Sequence, residues 1–263
     1  MDIRKIMKPG EENGDLEEHL LTLDSEFRFK CRHCGKCCKN QDTILFNAKD
    51  IFNIAKKLGK TPKQVVESCA ETYIGNNSRI PVVHMVPRGP KNACPLLLDD
   101  GRCSVHDCKP TVCALFPLGR VILPIDRSLP LSKENSRIRF ILTDHDCGSA
   151  KKVHTVREWL AKFGIPEEDA FHLLWNEVVL QFSDTMRKLE ERNCSNSFKE
   201  YVWGSIGHAL YLNYDTSREF MPQFEATAEK IKAACTFIGE VDSYCFEGGP
   251  RPPFLDENFN VNL

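Results

Sequence analysis

Four cysteines fall within eight positions in the stretch Phe29-Lys30-Cys31-Arg32-His33-Cys34-Gly35-Lys36-Cys37-Cys38-Lys39. So dense a set of thiols, interleaved with cations, cannot be an ordinary core strand or an amphipathic helix, so its order must come from something the thiols bind. Cys31, Cys34 and Cys37 follow the C-x2-C-x2-C spacing that holds polynuclear iron-sulfur clusters, and each C-x2-C pair also suits tetrahedral zinc. The ligands must be thiolates. Lys30, Arg32, Lys36 and Lys39 favour that form and offset the charge of a thiolate-metal centre. Exposed thiols packed this closely would oxidise unless occupied.

Composition narrows the setting. The 263 residues are 41% hydrophobic and 27% charged, with a formal net charge of -2, which suits a globular chain and supplies no basic field for nucleic acid or an anionic membrane. Neither partner is expected. The first ten residues lack an apolar signal region and no apolar run reaches spanning length, so a cytoplasmic location is expected. In that reducing compartment thirteen cysteines point to metal or redox chemistry and not to a disulfide framework.

Residues 1–26 read as a polar arm with a short helix over Leu16 to Leu23. After the cysteine loop, Asn47 caps a helix that Gly59 stops. Thr61-Pro62-Lys63-Gln64 opens a second, whose apolar face carries Val65, Val66, Cys69, Ala70 and Tyr73. Cys69 is a core position on that face. From Ile80 the texture turns to short strands, and Asp99-Asp100-Gly101 signals a hairpin with Cys94 at its entrance and Cys103 on its return. Cys113 follows, and these three should converge at one end of a small sheet. The strand-like run Arg137 to Leu142 then delivers Cys147 on a polar loop. Eight candidate ligands result: Cys31, Cys34, Cys37, Cys38, Cys94, Cys103, Cys113 and Cys147.

The order Cys31-x2-Cys34-x2-Cys37-Cys38, Cys94-Pro95-x-Leu97, Gly101-Arg102-Cys103-Ser104-Val105-His106, Lys109-Pro110-x2-Cys113-x2-Phe116-Pro117 and Cys147-Gly148 resembles the CxxCxxCC (YkgJ-like) cysteine-cluster family. That family is described as zinc- or iron-chelating and includes flagellin lysine N-methylases, whose cysteine region is associated with an iron-sulfur cluster. The resemblance implies zinc or iron as cofactor, the latter as a 4Fe-4S cluster, held by those eight cysteines. Many relatives carry Arg-Pro where this chain has Lys109-Pro110, and Arg where it has Ala114. Cys108 is commonly not cysteine in the family and is placed outside the site. His33, His106 and His145 lie among the ligands and are read as outer partners of the metal centre or as solvent-exposed.

Beyond residue 150 the pattern is helical. Phe171, Leu174, Trp175, Val178, Phe182, Met186 and Leu189 line the longest helix; a shorter one spans Phe198 to Tyr211; Pro222 opens a third, with core positions at Phe224, Ala228, Ile231, Cys235 and Ile238, that Gly239 ends. Cys194 and Cys245 read as free thiols, and His84, His154, His172 and His208 as surface or packing residues. The expected fold is α+β: a small, metal-crosslinked cysteine domain (27–150) with short strands and flanking helices, then a helical segment (151–245) and an extended tail (246–263). No phosphate-binding loop, catalytic triad or adenosylmethionine fingerprint stands out. Three functions remain: a metal-binding protein holding zinc or iron; an enzyme, methylase-like or redox, acting on a protein or other substrate; and an adaptor in which structural zinc shapes a partner surface. An extended backbone at Cys37-Cys38 would send the two thiols to opposite sides and hence to different centres.

Overall fold

The computed structural model describes residues 20–240, apart from 33, 34, 42, 127, 130, 131, 133 and 144–146. The chain forms two compact units, each assembled from two separated stretches: Met1–Cys34 with Ala114–Asp169, and Gly35–Cys113 with Ala170–Leu263. Among the described residues, seven α-helices and seven short strands in small sheets make the fold α+β.

In the first unit, β1 (Glu26–Lys30) alternates exposed charged residues with buried Phe27 and Phe29, the period-two pattern of a half-buried strand. It pairs antiparallel with β7 (Ser149–Thr155), with a register shift between Arg28 and Lys30. A second ribbon joins β5 (Leu118–Pro124) to β6 (Ser136–Leu142) in unbroken register. Helix α4 (Val156–Lys162) is launched by a reciprocal capping box between Thr155 and Glu158, a device worth about 1 kcal/mol. Phe27, Phe29, Leu118, Phe140, Trp159 and Leu160 fill its core, and Trp159 Nε1 donates to the Leu115 carbonyl at 3.0 Å. Arg120 and Asp169 form a buried ion pair at 2.7 Å. The first half of the helix expected over Leu16 to Leu23 falls outside the described residues. Its described end is instead extended, with Leu21 bridging Phe140 and both Leu21 and Leu23 packed on the core.

In the second unit, β2 (Leu45–Phe46), β4 (Pro81–Met85) and β3 (Ala70–Ile74) form an antiparallel sheet in the order β2-β4-β3. Helix α1 (Ala48–Leu58) has the expected Asn47 cap and stops at Gly59, whose φ of 63° is left-handed. Helix α2 (Pro62–Cys69) carries the Thr61–Gln64 capping box. It ends sooner than its apolar stripe suggested. Ala70 to Tyr73 lie in β3 because Thr72, Tyr73 and Ile74 favour a pleated strand and find partners on β4. Helices α5 (Ala170–Glu191), α6 (Asn196–Tyr211) and α7 (Phe220–Glu240) enclose a core with Ile51, Ile54, Phe182, Leu189, Ile206, Phe224 and Ile231. Of the predicted stripe of α5, Phe171, Val178, Phe182, Met186 and Leu189 are buried, and Leu174 and Trp175 are half-buried against the same core. Gly239 lies inside the last turn of α7 and does not end it. Cys69 and Cys235 are buried core thiols, as read, whereas Cys194, expected as a free thiol, is disulfide-bonded. Cys245 and the tail lie outside the described residues. No helix among the described residues is long and apolar enough to cross a membrane.

Candidate metal centre

Gly35, at φ 68°, turns the chain into a single 3-10 turn over Lys36–Cys38, closed by the Cys38 amide donating to the Gly35 carbonyl at 3.0 Å. Only a residue without a Cβ adopts that φ freely. The backbone at Cys37-Cys38 is therefore folded and not extended, which removes the geometric reason for sending the two thiols to opposite sides. They share a side-chain hydrogen bond instead.

Backbone bonds then tie this turn to the next thiol segment. The Cys94 amide donates to the Cys38 carbonyl at 2.8 Å, the Asn40 amide to the Asn92 carbonyl at 2.8 Å, and Lys39 bridges Ala93. The Asp99-Asp100-Gly101 turn forms as expected, with Gly101 at φ 81° and the Leu98 amide donating to the Arg102 carbonyl at 2.8 Å. The hairpin around it shrinks to one bridge, Leu97 with Cys103. Cys113 sits in a five-residue helix, α3 (Thr111–Leu115), so the three later thiols stand on loops and a helical turn and not at the end of a sheet. Cys94, Cys103 and Cys108 are half-buried and pack on the unit's apolar cluster.

Cys37, Cys38, Cys94, Cys103 and Cys113 form an electrostatic group within this unit. The Cys38 thiol donates to Cys37, and with Lys109 nearby this brings Cys37 down to about 6. The same bond, burial and the neighbouring Cys37, Cys94 and Cys113 push Cys38 up. Burial raises Cys94, Cys103 and Cys113, each also lifted by the charge of at least one other thiol in the group. Lys109 opposes this at Cys37, Cys103 and Cys113. Cys108 is raised by burial and by Asp107.

In the first unit, Cys31 and Cys147 leave the same end of one ribbon, since Lys30 pairs with Ser149. Cys31 is exposed and Cys147 half-buried against the aromatic core. Gly148 makes this approach possible: at φ 75° it faces the Phe29 ring, and a Cβ there would collide with Phe29 Cε2. Cys34, His33 and His145 lie outside the described residues. His106 is exposed, His84 stacks edge-on against Tyr73, and His154 is buried with Nε2 3.0 Å from the Phe29 carbonyl oxygen.

The donor set suits zinc or iron, both of which accept thiolates. As thiolates these partly buried groups would repel one another, and a bound cation would offset that repulsion. Among the described residues, no group of three or more His, Cys, Asp or Glu side chains is preassembled to hold a metal ion. Cys38, Cys94, Cys103 and Cys113 are held toward the protonated form, so loading would require them to deprotonate.

Sequence reading missed two residues around these thiols. Lys109 was signalled only by the Arg-Pro of the resemblance. Asp50, buried at 4% exposure, read simply as part of a helix cap.

No curated protein and no solved structure matches the chain. A family model does match, over residues 30–148, and its description is "CxxCxxCC: Putative zinc- or iron-chelating domain". That stretch contains all eight candidate ligands, and over it the chain is similar to this family.

Proposed function

We propose that this protein binds zinc or iron through the thiolates of Cys31, Cys34, Cys37, Cys38, Cys94, Cys103, Cys113 and Cys147, and that iron, where bound, is held as an iron-sulfur cluster. The observation that supports it most is the group Cys37, Cys38, Cys94, Cys103 and Cys113 in one unit, where the Cys94 amide bonds the Cys38 carbonyl at 2.8 Å and Cys38, Cys94, Cys103 and Cys113 each sense the charge of at least one other member. Four of these thiols are half-buried and Cys37 is exposed; partly buried thiols arranged to repel as anions are costly unless they share a cation, which deprotonates them outright.

Protein purified without oxygen tests this by its colour, metal and sulfide content. Brown protein with iron and acid-labile sulfide supports the cluster, and colourless protein with stoichiometric zinc supports zinc. Folded protein that stays metal-free after anaerobic loading with both overturns the reading. The thiols should also divide. Serine at Cys94, Cys103 or Cys113 should lower metal content, whereas serine at Cys69, which donates to the Val65 carbonyl at 3.0 Å, or at Cys235, pushed up to about 12 by burial, should leave it unchanged. Equal loss from both sets would contradict the assignment.

A further inference from the structure

Asp50 lies at N3 of α1, where its Oδ2 accepts from the Asn47 amide at 3.2 Å. Its other oxygen is used elsewhere. Oδ1 accepts from the Thr111 amide at 2.8 Å and from Thr111 Oγ1 at 2.7 Å. Asn47 Nδ2 also reaches Thr111 Oγ1, at 3.5 Å. Thr111 is the first residue of α3, and the residue before it, Pro110, has no side-chain oxygen with which to cap the helix. Asp50 supplies that cap from a distant part of the chain. One buried carboxylate thus satisfies amides at the starts of two helices, where the dipoles favour negative charge.

The second of those helices carries Cys113 two residues after Thr111. A carboxylate buried this deeply is retained only when its hydrogen bonds are made, so the bond pair to Thr111 fixes the first turn of α3 firmly. The contribution to Cys113 is thus one of geometry, through two hydrogen bonds to the residue two positions before the thiol.

We infer that Asp50, acting through Thr111, is a positioning residue that aims the Cys113 thiolate at the metal. This rests on the metal-binding reading above, and partners outside the ligand shell of this kind typically contribute about 10–100-fold to metal affinity.

The test uses the full chain, with cobalt(II) as the spectroscopic probe and zinc as competitor, in wild type, Cys113→Ser, Thr111→Val, Thr111→Ser and Asp50→Asn. Thr111→Val should weaken cobalt binding about tenfold or more and remove the same thiolate charge-transfer intensity as Cys113→Ser. Thr111→Ser, which keeps the hydroxyl, should restore both, and Asp50→Asn, which keeps Oδ1 as acceptor, should fall between. Thr111→Val matching wild type in affinity and spectrum overturns the inference. So does equal loss in Thr111→Val and Thr111→Ser accompanied by loss of far-ultraviolet helicity, since that is a folding effect. If wild type itself binds no cobalt, zinc or iron, the metal reading has failed. If wild type binds and Cys113→Ser does not, only the role of Asp50 is at stake.

Discussion

A single lysine illustrates how the thiols and their surroundings differ in legibility. The cysteines could be proposed as ligands from the sequence, because ligand spacing is a property of neighbouring positions along the chain. Lys109 could not, because its significance is that its charge favours the thiolate form of Cys37 and opposes the rise at Cys103 and Cys113, and those residues are brought to it by the fold. The same limit hid Asp50, whose partner Thr111 is remote in sequence. Among the described thiols of the second unit, Lys109 is the cation that acts on three. Lys109→Met should therefore lower metal affinity by about tenfold without changing the number of bound ions, and Lys109→Arg should restore it. Competition against a chelator of known strength measures this. Unchanged affinity in Lys109→Met would show that the metal alone stabilises the thiolates.

At the scale of elements, capping chemistry was the most readable signal. Asn47, Thr61 and Gly59 stand where a helix start or stop requires them, and each acts through atoms within one turn. What escaped was decided by partners across space. The apolar stripe of α2 breaks at Ala70 because β4 offers Thr72 and Tyr73 a ladder, and the expected hairpin around Gly101 stays a bare turn with one bridge. The β1–β7 ribbon is the clearest case, since Cys147-Gly148 was visible as a motif but the reason for its glycine was not. Gly148 and Gly164 share a left-handed φ, 75° and 62°, yet only Gly148 faces another group, the Phe29 ring. Gly164→Ala should cost only the backbone penalty, about 1 kcal/mol. Gly148→Ala should cost more, about 2–3 kcal/mol, and displace Cys147 relative to Cys31. Chemical denaturation of the two variants measures the difference, and equal cost would mean that Phe29 yields freely. The ribbon should also be sensitive to acid. Burial lowers the pKa of His154, so below about pH 6.5 the unfolded chain takes up a proton that the folded one resists. Stability falls as pH drops through that value. A melting temperature that declines between about pH 7.5 and about 5.5 in wild type, and less in His154→Gln, is expected; parallel curves would assign the decline to other groups.

For the whole molecule, periodicity read along the chain yields consecutive blocks, whereas each compact unit combines two separated stretches. Antiparallel partners such as β1 and β7 are far apart in sequence and carry no local mark of each other. The division has an energetic counterpart inside the second unit. Its helices α1, α5, α6 and α7 bury the larger apolar cluster, with Phe182, Leu189, Ile206, Phe224 and Ile231 fully enclosed and each worth about 1.5–3 kcal/mol. The thiol segments of the same unit are different. From Val86 to Pro110 only turns, bends and isolated bridges occur, with Ile80, Leu96 and Val105 among the few apolar residues buried nearby. Apolar burial can therefore hold the helices without metal but cannot order these loops alone, and metal binding energy would supply the remainder as local folding energy. Removing metal should then leave far-ultraviolet helicity nearly unchanged. Amide exchange should accelerate selectively at Asn40, Cys94, Leu98, Ser104 and Cys108, whose amides donate across the thiol loops at 2.8 to 3.0 Å. Amides inside α5, α6 and α7 should keep their protection. Exchange mass spectrometry of loaded and chelator-treated protein distinguishes the alternatives: acceleration confined to residues 35–113 outside the helices is the expected pattern, and loss of protection throughout α5 to α7 would mean that the metal holds the entire unit together.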